Sequence, residues 1–164
     1  MCDIKYGFLP VFDKNSRVLI LGSFPSVKSR QVEFYYGNRQ NRFWKILCGF
    51  FKEDIPESTP DKIAFLHKNH VALWDMVIEC EIEGSSDSSI KNYKVADLRE
   101  VLSVSTIELI LLNGGKAFEI FNKFYGGISV PYIKLPSTSP ANTRCDAGEW
   151  VRALSLVFGA QRTV

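Results

Sequence analysis

The chain has little of what metal chemistry, secretion or nucleotide binding requires. It holds two histidines and four cysteines in 164 residues. Cys2, Cys48, Cys80 and Cys145 lie far apart, with no C-x-x-C and no matching histidine spacing. A zinc or iron–sulfur site is a poor reading of that pattern, and no metal and no cofactor are expected. His67 and His70 in LHKNH can share a helix face. No nearby acid in the sequence completes a site, so they read as a solvated helix end. The opening MCDIKYGFLPVF lacks the apolar stretch of a secretion signal. No apolar run approaches the ~18–20 residues of a membrane span. Scattered thiols then predict a reducing compartment, cytoplasmic or, in a eukaryote, nuclear. Gly22-Ser-Phe-Pro matches neither G-x-G-x-x-G nor G-K-[ST], which argues against a nucleotide-binding sheet protein. Charge of neither sign dominates: the formal net charge is +2 and the pI about 8.3. That balance permits a nucleic-acid partner without demanding one.

Apolar residues are plentiful at 46%, against 23% charged, which is a globular composition. The length fits one domain over residues 1–164. Arg17-Val-Leu-Ile-Leu21 is a short apolar run stopped by Gly22, and it reads as a buried strand. A polar loop, Ser23 to Gln40, follows. Asn41 to Cys48 has helical spacing, with Phe43, Trp44 and Leu47 on one side. Pro60 to Asn69 reads as a second helix. His70 to Val77 reads as a strand with Asp75 near its end, and Glu83 to Ser89 as a polar loop. Val95 to Ser103 reads as helix, Thr106 to Leu112 as strand and Lys116 to Phe124 as helix. A short strand, Val130 to Leu135, and a last helix, Asp146 to Val157, complete the chain. Strands that alternate with helices predict a three-layer α/β/α sandwich around a mostly parallel, roughly four-stranded sheet.

In such a sheet, ligands bind beyond the carboxyl ends of the strands. Four predicted strands run into polar or glycine-bearing segments: Gly22-Ser-Phe-Pro-Ser26, Asp75-Met76, Asn113-Gly-Gly115 and Ser137-Thr-Ser-Pro-Ala-Asn142. Any one of these is an ordinary exposed turn. Four on one edge would form a site. Asn113 directly follows Leu111-Leu112, where an unpaired amide costs about 1–3 kcal/mol. It either caps the next helix or contacts a ligand. Phe34, Tyr35, Tyr36, Phe43 and Trp44 surround Arg39, Asn41 and Arg42. Aromatic rings interleaved with Arg and Asn suit base stacking and phosphate contact. Phe43 and Trp44 read as core; Tyr35, Tyr36 and Asn41 read as site.

Taken together these motifs resemble the uracil-DNA glycosylase superfamily along nearly the whole chain. VLILGSFPS (18–26) is similar to its first motif, YYGNRQNRFWKIL (35–47) to the segment that follows, and LPSTSPAN (135–142) to its second motif. ALWDMVIECEIEGSSDSSI (72–90) and LLNGGKAFEIF (111–121) resemble the hypoxanthine-DNA glycosylase branch. The chain departs from the superfamily's uracil-removing members in two places. Its first motif has no Asp or Asn to position water, and Ser137 stands where other members carry histidine.

The resemblance implies hydrolysis of the N-glycosidic bond of a flipped, deaminated base in double-stranded DNA, foremost hypoxanthine, to leave an abasic site. It assigns Asn41 as the catalytic asparagine and Asn113 as a supporting one. It groups Gly22, Ser23, Phe24, Tyr36 and Asp75 in the base pocket. Asp75 either accepts the N1–H of hypoxanthine or caps the next turn, and Phe24 stacks on the base. Ser137, Thr138, Ser139, Pro140, Asn142 and Arg144 fall to DNA binding through the minor groove. Uracil removal is one alternative. A damaged-DNA binding module without catalysis is another, favoured by the missing polar group in the first motif.

Overall fold

Two nearly unbroken apolar runs, VLILG and LILLN, form the centre of the molecule because neither has a polar face to show to water. The computed structural model describes residues 3–159. Cys2 and the outermost ends of the expected 1–164 domain lie outside the described residues. The elements, in order, are β1 (Ile4–Tyr6), β2 (Val18–Gly22), α1 (Val27–Val32), α2 (Phe43–Phe51), α3 (Thr59–Lys68), β3 (Val71–Asp75) and β4 (Val77–Glu81). After these come β5 (Lys91–Val95), α4 (Arg99–Leu102), β6 (Leu109–Asn113), α5 (Gly115–Tyr125), β7 (Tyr132–Leu135) and α6 (Ala147–Phe158).

The main sheet has four parallel strands in the order β3-β2-β6-β7, flanked by helices. This is the predicted class and strand count. The chain leaves β2 for β3 on one side and returns to β6 on the other, so the strand order reverses at β2. A crevice opens beyond the strand ends at such a point. The register sets Gly22 opposite Asp75 and Asn113 opposite Leu135.

A second sheet, antiparallel in the order β1-β4-β5, was not predicted. The expected strand from His70 to Val77 divides at Met76, whose N–H donates to the Gly22 carbonyl before β4 departs. Val95, read as the start of a helix, ends β5, and the helix contracts to Arg99–Leu102. The polar loop from Ser23 to Gln40 contains α1, capped by Ser26, whose Oγ accepts from the Ser29 N–H at 3.1 Å. These elements have little apolar patterning to reveal them: α1 buries only Ser29, and KNYKV in β5 is mostly exposed. The expected solvated helix end at LHKNH is corrected in one respect. His67 Nδ1 lies 3.3 Å from a carboxylate oxygen of Asp13, a residue distant in sequence. No helix among the described residues is long and apolar enough to cross a membrane.

Phe43 and Trp44 are buried, as their spacing predicts. Trp150 of α6 is buried edge-on to Phe43, with centroids 6.3 Å apart. Its indole N–H donates to the Pro136 carbonyl at 2.9 Å, which ties α6 to the segment after β7. Trp150→Phe keeps most of the apolar volume and leaves that carbonyl without its donor. We expect a loss of about 1–3 kcal/mol in urea unfolding. An unchanged midpoint and slope would show that the bond contributes nothing.

Candidate active site

A cavity of about 490 Å³ opens where β2, β3 and β6 end. It is lined by Gly22, Ser23, Phe24, Tyr36, Asn41, Asp75, Asn113 and residues 137–141, together with Ser85 to Asp87 from the loop between β4 and β5. All of the expected catalytic and base-pocket residues meet here. Of the expected DNA-binding group, Ser137, Thr138, Ser139 and Pro140 line it. Asn142 and Arg144 lie outside the lining.

Gly22 makes the floor possible. A Cβ there would stand 2.5 Å from Asp75 Oδ1 and 3.1 Å from the Tyr36 hydroxyl. The bare backbone lets both polar atoms close in from neighbouring segments. Asp75 is 5% exposed, and its Oδ2 has no hydrogen-bond partner among the described residues. The Tyr36 hydroxyl is likewise sealed and nothing accepts its proton, while the Asn113 side chain stands beside it as a hydrogen-bond donor. Burial raises the Asp75 pKa from 3.8 to about 7; the charge of Asp87 adds to this, and the backbone of Gly22 opposes it. Burial, with the field of Asp75, also raises the Tyr36 phenol well above its usual range, and Asn113 opposes.

Asn113 lines the cavity but does not cap the next helix. The cap position of α5 is Gly114, with no side-chain cap. The Asn113 amide instead spans to Thr138: Nδ2 donates to Oγ1 at 3.0 Å, and Oδ1 accepts from the Thr138 N–H at 3.0 Å. Thr138 is fully buried. Its expected contact with DNA phosphate is corrected by that geometry, because both its polar groups face inward. Gly114 adopts φ +97°, and a Cβ there would lie 3.1 Å from Ser137 Cβ, so only glycine fits beneath this segment.

The 135–142 segment is held elsewhere too. The Arg42 N–H donates to the Thr138 carbonyl, and its guanidinium to the carbonyls of Ser139 (3.1 Å) and Asn142 (2.8 Å). Asn142 Nδ2 donates back to the Ser137 carbonyl at 2.9 Å, so this side chain braces the loop. Arg144 is exposed beyond it. Asn41 Oδ1 accepts from the Phe43 N–H at 2.9 Å, which orients the amide at the start of α2. Tyr35, read as a site residue, lines the cavity while sitting largely in the core: it is 2% exposed and its hydroxyl donates to the Leu9 carbonyl at 2.7 Å. Phe24 is buried, with the Arg30 guanidinium 5.7 Å from its centroid.

Sequence reasoning found the polar loop Glu83 to Ser89 but did not place it in the site, where it closes the opposite wall. Ser23 Oγ donates to Asp87 Oδ1 at 2.6 Å, Ser85 Oγ accepts from the Val27 N–H at 2.8 Å, and Arg30 donates to the Gly84 carbonyl at 2.7 Å. The alternating residues of VIECE before this loop are the signal that could have revealed a hairpin.

The Asp75 pKa has a consequence for stability. Between about pH 4 and 7 the folded chain keeps a proton that the unfolded chain releases. The group's stabilisation is therefore complete below pH 4 and is lost as pH rises through 7. Asp75→Asn removes this dependence. The difference, up to about 3 kcal/mol, should appear as a relative gain by the variant between pH 5 and pH 8 in urea unfolding. Parallel stability profiles for the two proteins would show that Asp75 titrates normally.

Comparison with known proteins gives one answer. The family model of the uracil DNA glycosylase superfamily matches residues 9–154. A protein of Methanosarcina acetivorans named hypoxanthine DNA glycosylase is 37% identical over 145 residues, covering 86% of this chain and 90% of the relative. One of the same name from Methanosarcina barkeri is 33% identical over 142 residues, covering 85% and 89%. The solution NMR structure of a Methanosarcina acetivorans protein, provisionally named a uracil DNA glycosylase, superposes with a TM-score of 0.79 at 35% identity, covering 96% of this chain and 98% of the other. With its site at the strand ends and its motifs in the superfamily's order, this chain is a DNA glycosylase of the uracil DNA glycosylase superfamily.

Proposed function

We propose that the protein removes hypoxanthine from deoxyinosine in double-stranded DNA. The observation that carries this reading is Asp75, a buried carboxylate with an unpartnered oxygen at the floor of the strand-end cavity. Its ionised form accepts the N1–H of hypoxanthine. Adenine has a lone pair at N1 and is repelled. The relatives named hypoxanthine DNA glycosylase support the same substrate.

The base leaves the stack at a cost of a few kcal/mol and enters the cavity. The C1′–N9 bond breaks, its electron pair departing with the purine, while positive charge develops on the sugar. Water then adds to C1′ and gives up a proton, and the purine leaves as neutral hypoxanthine. The amide of Asn41 does not titrate in this range, so its role is to hold that water through Oδ1. One acceptor direction of this oxygen already receives the Phe43 N–H, which fixes the plane of the amide. Asn113 acts through Thr138 as a positioning residue for the second-motif loop. Ser137, Ser139 and Pro140 present that loop to the DNA backbone, with Asn142 bracing it and Arg144 beside it. Phe24 offers the base an apolar face.

The purified protein should convert a duplex with one deoxyinosine into an abasic duplex, read as strand cleavage by alkali. Asn41→Ala should slow single-turnover cleavage about 10²- to 10³-fold while duplex binding survives. Tight binding with an intact strand would favour a binding module. Faster release from a uracil duplex would favour the uracil reading. An unchanged rate in Asn41→Ala would remove this residue from the chemistry.

A further inference from the structure

We propose that the hydroxyl of Tyr36 is a second base reader, donating to the exocyclic oxygen of the flipped base beside Asp75. This rests on the glycosylase reading above and narrows its substrate class to bases that present an N–H next to a C=O, which shuts out adenine and cytosine.

Four observations converge on the phenol. Tyr36 lines the cavity and its oxygen is buried with nothing to accept its proton, a costly state even with the Asn113 side chain beside it as a donor. It faces the same point above Gly22 as Asp75 Oδ1, 3.1 Å and 2.5 Å away respectively. Its ring is fixed, stacked on Phe43 at a centroid separation of 4.0 Å and an interplanar angle of 22°. Its backbone sits at φ +54°, a conformation costly for an aromatic residue and maintained only when the surroundings enforce it.

The two groups differ in hydrogen-bond sense. An ionised carboxylate only accepts, and a phenol held in its protonated form donates. Set side by side they complement an edge with one donor and one acceptor. Hypoxanthine supplies N1–H and O6; xanthine and uracil carry the same pair. Adenine and cytosine carry the reverse pair, an amino group beside a bare ring nitrogen, and that nitrogen meets the carboxylate. The pair thus separates hypoxanthine from adenine and uracil from cytosine by the sign of two contacts; guanine and thymine share the N–H/C=O pair and are told apart only by their 2-amino and 5-methyl groups.

Tyr36→Phe keeps the ring on Phe43 and removes only the hydroxyl. The test compares wild type and variant in single-turnover excision from two duplexes, one containing deoxyinosine and one containing 6-thiodeoxyinosine. The latter keeps N1–H but replaces O6 with sulfur, a weak acceptor. The variant should lose about 10- to 100-fold on deoxyinosine and much less on the thio base. Equal wild-type and variant rates on deoxyinosine would overturn the proposal. So would an equal loss on both substrates, which marks a purely structural role. Wild type releasing no base from deoxyinosine, with release from uracil intact, would instead defeat the hypoxanthine reading, leaving the Tyr36 assignment to be judged on a uracil/4-thiouracil pair with the same criteria.

Discussion

Parallel pairing on both sides of β2 is the constraint from which the site follows. Because β2 pairs in parallel with β3 and with β6, three strand ends are compelled to the same edge. Gly22, Asp75 and Asn113 stand at those ends, and each contributes something different there. Antiparallel pairing of any one of these strands would send its terminal residue to the far side of the sheet. The apolar content of the strands is therefore more than core material. It fixes, through register, the separation of three groups that the sequence spreads over more than half the chain.

Around that edge the molecule places polar groups in two contrasting states. Asn113, Thr138, Arg42 and Asn142 are committed to internal hydrogen bonds, and together they hold the second-motif loop in shape. Asp75 Oδ2 and the Tyr36 hydroxyl are buried without a well-formed hydrogen bond among the described residues. A folded protein tolerates such unsatisfied groups at an energetic cost, and both lie on the cavity floor. The contrast separates residues that hold the shape of the site from residues whose polar atoms are left unsatisfied on its floor. Several side chains which the motif pattern treats alike fall on opposite sides of it, Asn113 and Asp75 among them.

The main sheet was legible because hydrophobic burial acts directly on composition. VLILG and the apolar run before Asn113 could scarcely be anything but buried strands, and α2 and α5 show apolar faces. Convergence of the loops then followed from topology alone. The small sheet was not legible, since β5 is held by backbone pairing to β4 with few buried side chains to mark it. Asp87 was missed for the same reason: its place beside Ser23 depends on that hairpin. The role of Asn113 was illegible for a different cause. Its partner Thr138 lies 25 residues away, and nothing local distinguishes a clamp from a cap.

Gly22 has a wider implication. The first-motif turn contributes shape but no side chain at its closest point, and the Asp75 carboxylate arrives from the adjacent strand. The bend and the buried carboxylate above it are thus encoded in separate stretches of chain, so an exchange at position 75 alters the charge of the cavity floor while the turn at 22 stays as it is.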